Sequence, residues 1–464
     1  MSRSSTKLFL RAVAVIICGW SALTLAAAAQ DQAEPGEEMS GGAATIMETT
    51  RDAFSFPFPA LNSDHRGHFM VGHSFFNQKW VTAPASATGR AGLGPLFQAN
   101  SCSACHVKDG RGAPPEAGSQ MLSMLVRLSI PGRSANGGPL AEPTYGLQLD
   151  ERAIPGVKPA GAVQLTYEEK AGKFPDGTAY RLRAPTYRLT NPGYGEFRAD
   201  VCASPRIAPA VCGDGLLEQI PEQTLLDLSR GEGALAGRPN YVWDEEKQAT
   251  VIGRFGWKAN EPSLRQQIAH AFVADMGITS SLTPNEPLTD AMAALRDLPH
   301  GGSPEIGDKI FGRVVFYIQT LAVPGRRDWT DPIVLQGKRL FAEAGCATCH
   351  TPKIETGDCP EIPELAHQVI RPYTDLLLHD MGDGLADGRP DFLATGREWR
   401  TPPLWGIGLV QTVNRHTNFL HDGRARDLQE AILWHGGQAE AARNAYCALE
   451  ADQRAALLKF LNSL

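Results

Sequence analysis

Two pentapeptides of one pattern, Cys102-Ser103-Ala104-Cys105-His106 and Cys346-Ala347-Thr348-Cys349-His350, constrain this chain more than any other feature. Cys-x-x-Cys-His is the pattern by which a polypeptide holds a c-type haem. The two thiols add to porphyrin vinyl groups, and the adjacent imidazole reaches the iron as proximal ligand. With 9 Cys and 12 His in 464 residues, about 0.005 copies are expected by chance. Leu96-Phe97 and Leu340-Phe341 precede the two motifs at the same spacing, so the pattern is a degenerate internal repeat. A redox dithiol does not need the following His, and no nearby Cys or His pair completes a four-ligand zinc set. The motifs therefore predict two covalently bound haem c groups, with Cys102, Cys105, His106, Cys346, Cys349 and His350 as the attachment residues.

Thioether attachment belongs outside the reducing cytosol, and the N-terminus agrees. Arg3, Lys7 and Arg11 precede an apolar run from Ala12 to Leu25, and Ala27-Ala28-Ala29 is a small-residue cleavage site. Residues 1–29 read as a signal peptide and the destination as the periplasm; the competing reading is a signal anchor. No later apolar run reaches the roughly 18 residues of a spanning helix, so no membrane span is expected in the mature chain. Removing residues 1–29 takes away three positive charges and no acid, which carries the net charge from −7 to about −10. That excess of acid argues against nucleic acid as a partner and permits steering of a small basic redox protein.

Four cysteines remain beyond the haem motifs. Cys202 with Cys212, and Cys359 with Cys447, is the pairing expected here among the three that four cysteines permit; buried free thiols are the other reading.

Along the chain, residues 30–53 are acidic, Gly- and Ala-rich and aperiodic, and are expected to be a disordered lead-in. Residues 54–325 are expected to form an N-terminal haem domain with a β insertion at about 140–200, and residues 326–464 a C-terminal cytochrome c-like domain. Alternation over 163–167 and 180–183, split by Pro175-Asp176-Gly177, predicts a β-hairpin. Pro262-Ser263 opens a helix that ends at Gly277, and Ser303-Pro304-Glu305 opens another. Val334–Ala344 is read as a helix delivering the chain to Cys346, packed against a C-terminal helix around Leu457 and Leu461. Asp427 is an expected N-cap with Glu430 completing a capping box. The fold class expected is mainly α, with two cytochrome c-like haem domains and a small β insertion. His65, His68, His73, Met121 and Met124 lie near the first motif and are weighed as distal ligands against ordinary core roles.

Longer stretches carry a resemblance. Gly253-Arg-Phe-Gly-Trp257-Lys-Ala-Asn260, Asp275-Met-Gly-Ile-Thr-Ser280, Tyr373-Thr-Asp-Leu-Leu-Leu-His379-Asp-Met381-Gly382, Trp399-Arg-Thr-Pro-Pro-Leu-Trp405-Gly406 and Phe419-Leu420-His421-Asp422-Gly423-Arg424 resemble the bacterial di-haem oxidoreductases, sometimes labelled predicted thiol oxidoreductases. Relatives of that family are the di-haem cytochrome c peroxidases and the enzyme that matures tryptophan tryptophylquinone. The resemblance implies a peroxidase-like division of labour. One haem meets a small oxidant, and the other stores an electron from a small soluble carrier, a cytochrome c or a cupredoxin. It also implies Trp257 as a relay between haems, against the reading of a core aromatic. His421, Asp422 and Arg424 become a polar group near the second haem, against the reading of a structural turn. Many peroxidases have Met, the distal ligand of the electron-accepting haem, where this chain has Leu420. Either this iron has an open face, or Met381, His379 or His421 caps it. A pure electron carrier without substrate, and oxidation of a sulfur compound or protein side chain, are the alternative functions.

Overall fold

Asn62 starts the first long helix, Ser63–Asn77, by accepting from the His65 amide at 2.9 Å. The computed structural model describes residues 33–116, 118–231 and 236–464. The signal-peptide reading of residues 1–29 falls outside them. Phe69, Phe76 and the close-approach residue Gly72 face a second helix, Asp308–Gln319, whose Phe311, Val314 and Tyr317 are buried against them. A Cβ on Gly72 would sit 2.0 Å from the Arg313 carbonyl oxygen, so only glycine lets the two backbones meet. The predicted helix after Ser263 runs Leu264–Met276. The Ser263 hydroxyl accepts from the Gln266 amide at 3.2 Å, and Gly277 closes it at φ 66°. Its Phe272 joins the same core. The helix expected from Ser303 starts later, at Asp308 after Gly307.

The second unit is built on Pro332–Glu343, capped by the Asp331 carboxylate, which accepts from the Ile333 and Val334 amides. This helix packs on the C-terminal helix Ala451–Ser463 as expected, with Phe341 and Phe460 rings 5.2 Å apart. Gly337 faces the Ala456 carbonyl at a distance that would be 2.0 Å from a Cβ. Gly337→Ala is expected to wedge the pair apart and lower stability by about 1–3 kcal/mol, read as a reduced denaturant midpoint at unchanged slope. Asp427 caps Leu428–Leu433 through the Glu430 amide at 2.7 Å. The Glu430 carboxylate, however, takes Arg426 and the Arg183 amide rather than closing a capping box.

The expectation of a mainly α protein is corrected. Helix accounts for 31% and strand for 19%, spread over many small sheets. Met124–Arg133 is the centre of a four-stranded sheet, paired antiparallel with Pro139–Leu140, Gln148–Leu149 and Cys202–Ile207. Met124, Val126 and Leu128 are buried while Leu125 and Arg127 are less so. That is a period of two, with Met124, Val126 and Leu128 on one face and Leu125 and Arg127 on the other. The expected hairpin is long: Ala162–Lys173 pairs with Ala179–Thr190, turning at Gly177 with φ 87°. It clasps the second unit through Arg183, which donates to Asn418 and the Gly423 carbonyl, and through an Asp176–Arg454 ion pair.

Two further expectations are corrected. The described part of the lead-in is packed rather than disordered. Thr45–Ile46 pairs in parallel with Val323–Pro324. Glu37 is buried between Arg326 and Lys338, and Ala53 and Phe54 are buried in the core. One acid of that stretch, Glu37, is thus held in buried ion pairs. All eight described cysteines are free thiols, so neither proposed bridge forms. The Cys202–Ile207 strand carries the chain away from Cys202 before Cys212 is reached. Cys359 and Cys447 pack on different hydrophobic clusters. Among the described residues, no helix is long and apolar enough to cross a membrane.

Candidate functional site: two cysteine-lined cavities with a common wall

Each Cys-x-x-Cys-His motif forms a tight turn at the edge of a cavity. In the first, the His106 amide donates to the Cys102 carbonyl at 2.9 Å, which folds the imidazole back over the turn. His106 Nδ1 lies 2.7 Å from the Pro209 carbonyl oxygen. A carbonyl only accepts, so Nδ1 carries the proton and Nε2 is left bare. Burial lowers the His106 pKa to about 4, keeping the ring neutral. The second motif repeats this arrangement. The His350 amide donates to the Cys346 carbonyl at 3.0 Å, Nδ1 meets the Tyr373 carbonyl at 2.9 Å, and burial again lowers the pKa to about 4. Phe76 stands 6.1 Å from His106, and Phe341 stands 6.1 Å from His350, in the same relation. The first cavity is lined by Cys102, Cys105, His106, Met124, Phe272 and Trp405, the second by Cys346, Cys349, His350, Met381, Trp399 and Leu461. Counting space open to solvent, they enclose about 1810 and 1670 Å³ free of atoms. Burial pushes the Cys102 and Cys346 thiols up to about 12, so both are protonated at neutral pH.

Arg111, Trp257, Arg400, Pro402, Pro403 and Ile407 line both cavities. Trp257 is fixed by its indole N–H donating to the Ile207 carbonyl at 2.9 Å, and the Arg111 guanidinium lies 5.5 Å from its ring. Arg111 donates to the Leu420 carbonyl at 3.2 Å, and Arg400 to the Gly256 carbonyl at 2.9 Å. Arg111 Nε and Arg400 Nη1 are nevertheless buried without a partner. Burial lowers both guanidinium pKa values only to about 10, so both stay charged at neutral pH. Asp214 on the first cavity wall is raised to about 8 by burial, against the pull of Arg400. Buried, charged and under-partnered donors between two apolar cavities fit anionic groups entering with the occupants. A porphyrin with two propionates is such an occupant. Bare Nε2 atoms and paired thiols complete the fit to two haems.

The sequence-predicted residues fall unevenly around this frame. His379, Met381 and His421 all line the second cavity. Both His379 nitrogens are engaged: Nε2 lies 2.8 Å from Asp375 Oδ2 and Nδ1 lies 3.4 Å from Cys349 Sγ. Burial opposes its protonation, but these two hydrogen bonds prevail and raise its pKa to about 10. The His421 ring stacks on Trp399 at 3.7 Å and 13°, and stands 6.5 Å from Trp257. Its Nε2 is 3.9 Å from Asp422, beyond hydrogen-bond range. Burial lowers its pKa to about 3 although Asp422 pulls the other way. Asp422 and Arg424 do not line the cavity. They pair behind His421 at 2.8 Å, where the Tyr187 hydroxyl also donates to Asp422. Leu420 lines the cavity with φ 69°, a left-handed conformation uncommon for leucine. Around the first motif, Met124 lines the cavity. Met121 is buried, and His65, His68 and His73 instead pack their rings on Phe316 and Tyr317.

Sequence reasoning missed Arg111, Arg400 and Lys258. Lys258 is fully buried, with Nζ 4.5 Å from the Trp399 ring centre, on the Asp387 carboxylate and on two carbonyls. Each arginine and lysine reads as an ordinary surface charge in one dimension. The available signal for Lys258 and Arg400 was their place inside the aromatic motifs that bear the resemblance, whereas Arg111 stands only five residues after His106.

The family described as "Di-haem oxidoreductase, putative peroxidase" matches residues 36–129 and 144–464. No curated protein and no solved structure matched the chain. The chain is therefore a member of the di-haem oxidoreductase family.

Proposed function

We propose that this is an exported, periplasmic c-type cytochrome that reduces a small oxidant such as hydrogen peroxide with electrons from a small soluble carrier, a cytochrome c or a cupredoxin. The observation that carries the reading is the pair of Cys-Cys-His cavities sharing the wall of Arg111, Trp257 and Arg400. Bound haem supplies one-electron redox chemistry at an iron with an exchangeable coordination position. Cys102 and Cys105 hold one group and Cys346 and Cys349 the other, with His106 and His350 as proximal ligands. Peroxide reduction consumes two electrons while a carrier delivers one at a time, so a second redox group is needed as a store.

The chain's residues divide the remaining work. Arg111 and Arg400, each with a nitrogen left unpartnered in the wall common to both cavities, would hold propionates. Trp257 bridges that wall, its indole proton held by Ile207. In the second cavity Leu420 offers no atom that would bind iron. His421, neutral and stacked on Trp399, orients the oxidant by a hydrogen bond and takes or gives a proton at a ring nitrogen. Asp422 and Arg424 fix the loop behind it.

Intact mass of the exported protein, with a haemochrome assay, tests attachment: an excess of two haems is expected, and none would end this reading. Steady-state reduction of peroxide by a reduced cytochrome c or cupredoxin tests the reaction; absence of turnover, with two low-spin haems unresponsive to cyanide, favours a carrier. Trp257→Phe is expected to slow electron transfer between the haems at least about tenfold, ~1.4 kcal/mol in barrier, with both haems retained. Stopped-flow reduction of the second haem measures it, and an unchanged rate removes Trp257 from the path.

A further inference from the structure

The two cavities differ in what meets the second cysteine sulfur of each motif. The Cys105 thiol donates to the Leu122 carbonyl oxygen at 3.1 Å. Cys349 Sγ instead meets His379 Nδ1 at 3.4 Å, and His379 Nε2 meets Asp375 Oδ2 at 2.8 Å. Asp375 is anchored by its own loop, Oδ1 accepting from the Leu377 amide at 2.9 Å. Both Asp375 and His379 are buried. The imidazole is also closed in from behind: a Cβ on Gly237 would lie 2.6 Å from His379 Nε2. The ring sits on the strand Leu378–Asp380, paired with Glu398–Arg400, so its backbone is held to the strand that carries Trp399 and Arg400. Ring, carboxylate and sulfur thus form one clamped unit, with the ligating atoms of Cys349, Asp375 and His379 within 4.8 Å of one another.

Haem attachment changes what this unit can do. Adding the thiol across a vinyl group makes one C–S and one C–H bond and consumes the S–H bond and the C=C π bond, with no net electron transfer. The product is a thioether, whose sulfur accepts hydrogen bonds and donates none. At Cys105 the sulfur and the Leu122 carbonyl are then two acceptors facing each other. At Cys349 the neighbour is an imidazole that the Asp375 carboxylate favours in its protonated form, and as imidazolium it presents Nδ1–H to the sulfur and Nε2–H to Asp375. A metal site built from the same three groups does not survive attachment, because it would need the sulfur already joined to the porphyrin.

We infer that His379, held by Asp375, is a positioning residue that donates to the thioether sulfur of Cys349 and raises the reduction potential of the second haem relative to the first. A donor at the periphery of the macrocycle opposes loss of an electron, and hydrogen bonding around a redox centre is one of the protein's levers on its potential. The inference rests on the covalent attachment proposed above. Its consequence is direction: electrons entering at the first cavity run downhill through the shared wall to the second. It also removes His379 from the set of iron ligands.

The test is a spectroelectrochemical titration of the full exported protein, wild type against His379→Leu, His379→Asn and Asp375→Asn, with intact mass recorded first. His379→Leu is expected to lower one midpoint potential by about tenfold in its reduction equilibrium, ~59 mV for a one-electron couple, and to leave the other unmoved. His379→Asn, whose amide occupies the Nδ1 position, restores most of the difference, and Asp375→Asn gives part of the drop. If His379→Leu fails to hold the second haem, Asp375→Asn carries the test. Unchanged potentials in the variants that hold both haems, or two potentials falling together, overturn the inference. A wild-type mass short of two haems overturns the attachment itself and is thereby told apart from a failure of His379.

Discussion

Replacing His350 with glycine is expected to leave two haems on the chain by mass and to reduce peroxide turnover more than about 100-fold. Residues that merely support a metal ligand cost about 10–100-fold when changed, and His350 is the proposed ligand itself. Attachment through Cys346 and Cys349 does not need it. The variant vacates the space under the second iron, because the ring is held by one hydrogen bond to the Tyr373 carbonyl and by the flanking Phe341. That carbonyl stays in place to accept from imidazole added in solution. Free imidazole should therefore restore much of the wild-type spectrum at the second haem without altering the first. An unaltered spectrum in His350→Gly would show that this residue does not ligate iron, and failure of imidazole alone would show that the cavity collapses.

The second large effect is a gain of ligand. Leu420→Met is expected to place a thioether sulfur on the distal side of the second haem, convert it from high to low spin, and weaken cyanide binding at least about tenfold, ~1.4 kcal/mol. The exchange nearly conserves volume, and such swaps cost under about 1.5 kcal/mol, so the fold should persist. Leu420 lines the cavity beside His421, and its left-handed backbone is fixed by the loop, Arg111 donating to its carbonyl. The side chain at this position therefore stays directed by the same backbone whichever residue is present. Electron paramagnetic resonance of the oxidised protein reads the spin state directly. A persistent high-spin signal in a variant with both haems would mean that Leu420 does not face the iron.

Local chemistry was legible wherever one residue acts on its chain neighbours. Ser263 and Asp427 cap the helices that follow them, and Gly277 and Gly177 take the left-handed conformations their turns need. The helix start placed at Ser303 was misread because a Ser-Pro-Glu cue competes with the true start after Gly307. The strand Met124–Arg133 was missed although Arg127 and Ser129 alternate with Val126, Leu128 and Ile130, because its partner strand Cys202–Ile207 lies far along the chain. The disulfide pairing failed for the same reason. Spacing along a chain says nothing about which side of an extended strand faces which cluster.

The site divides along the same line. The candidate attachment residues were legible in the sequence alone, because the two thiols and the imidazole of each set stand in one pentapeptide. Trp257 was marked there only by the motif that carries the resemblance. What only the tertiary structure decided is how the two haem units share a boundary. Arg111 follows the first motif, and Arg400 lies fifty residues after the second. They meet in one wall because the fold brings the loop after His106 against the strand Glu398–Arg400. Their significance comes from the buried, unpartnered nitrogen that each charged group leaves in that wall. That is a property of the solvent-excluded wall they form, and a charge reveals it only once water and counter-charges have been removed from around it.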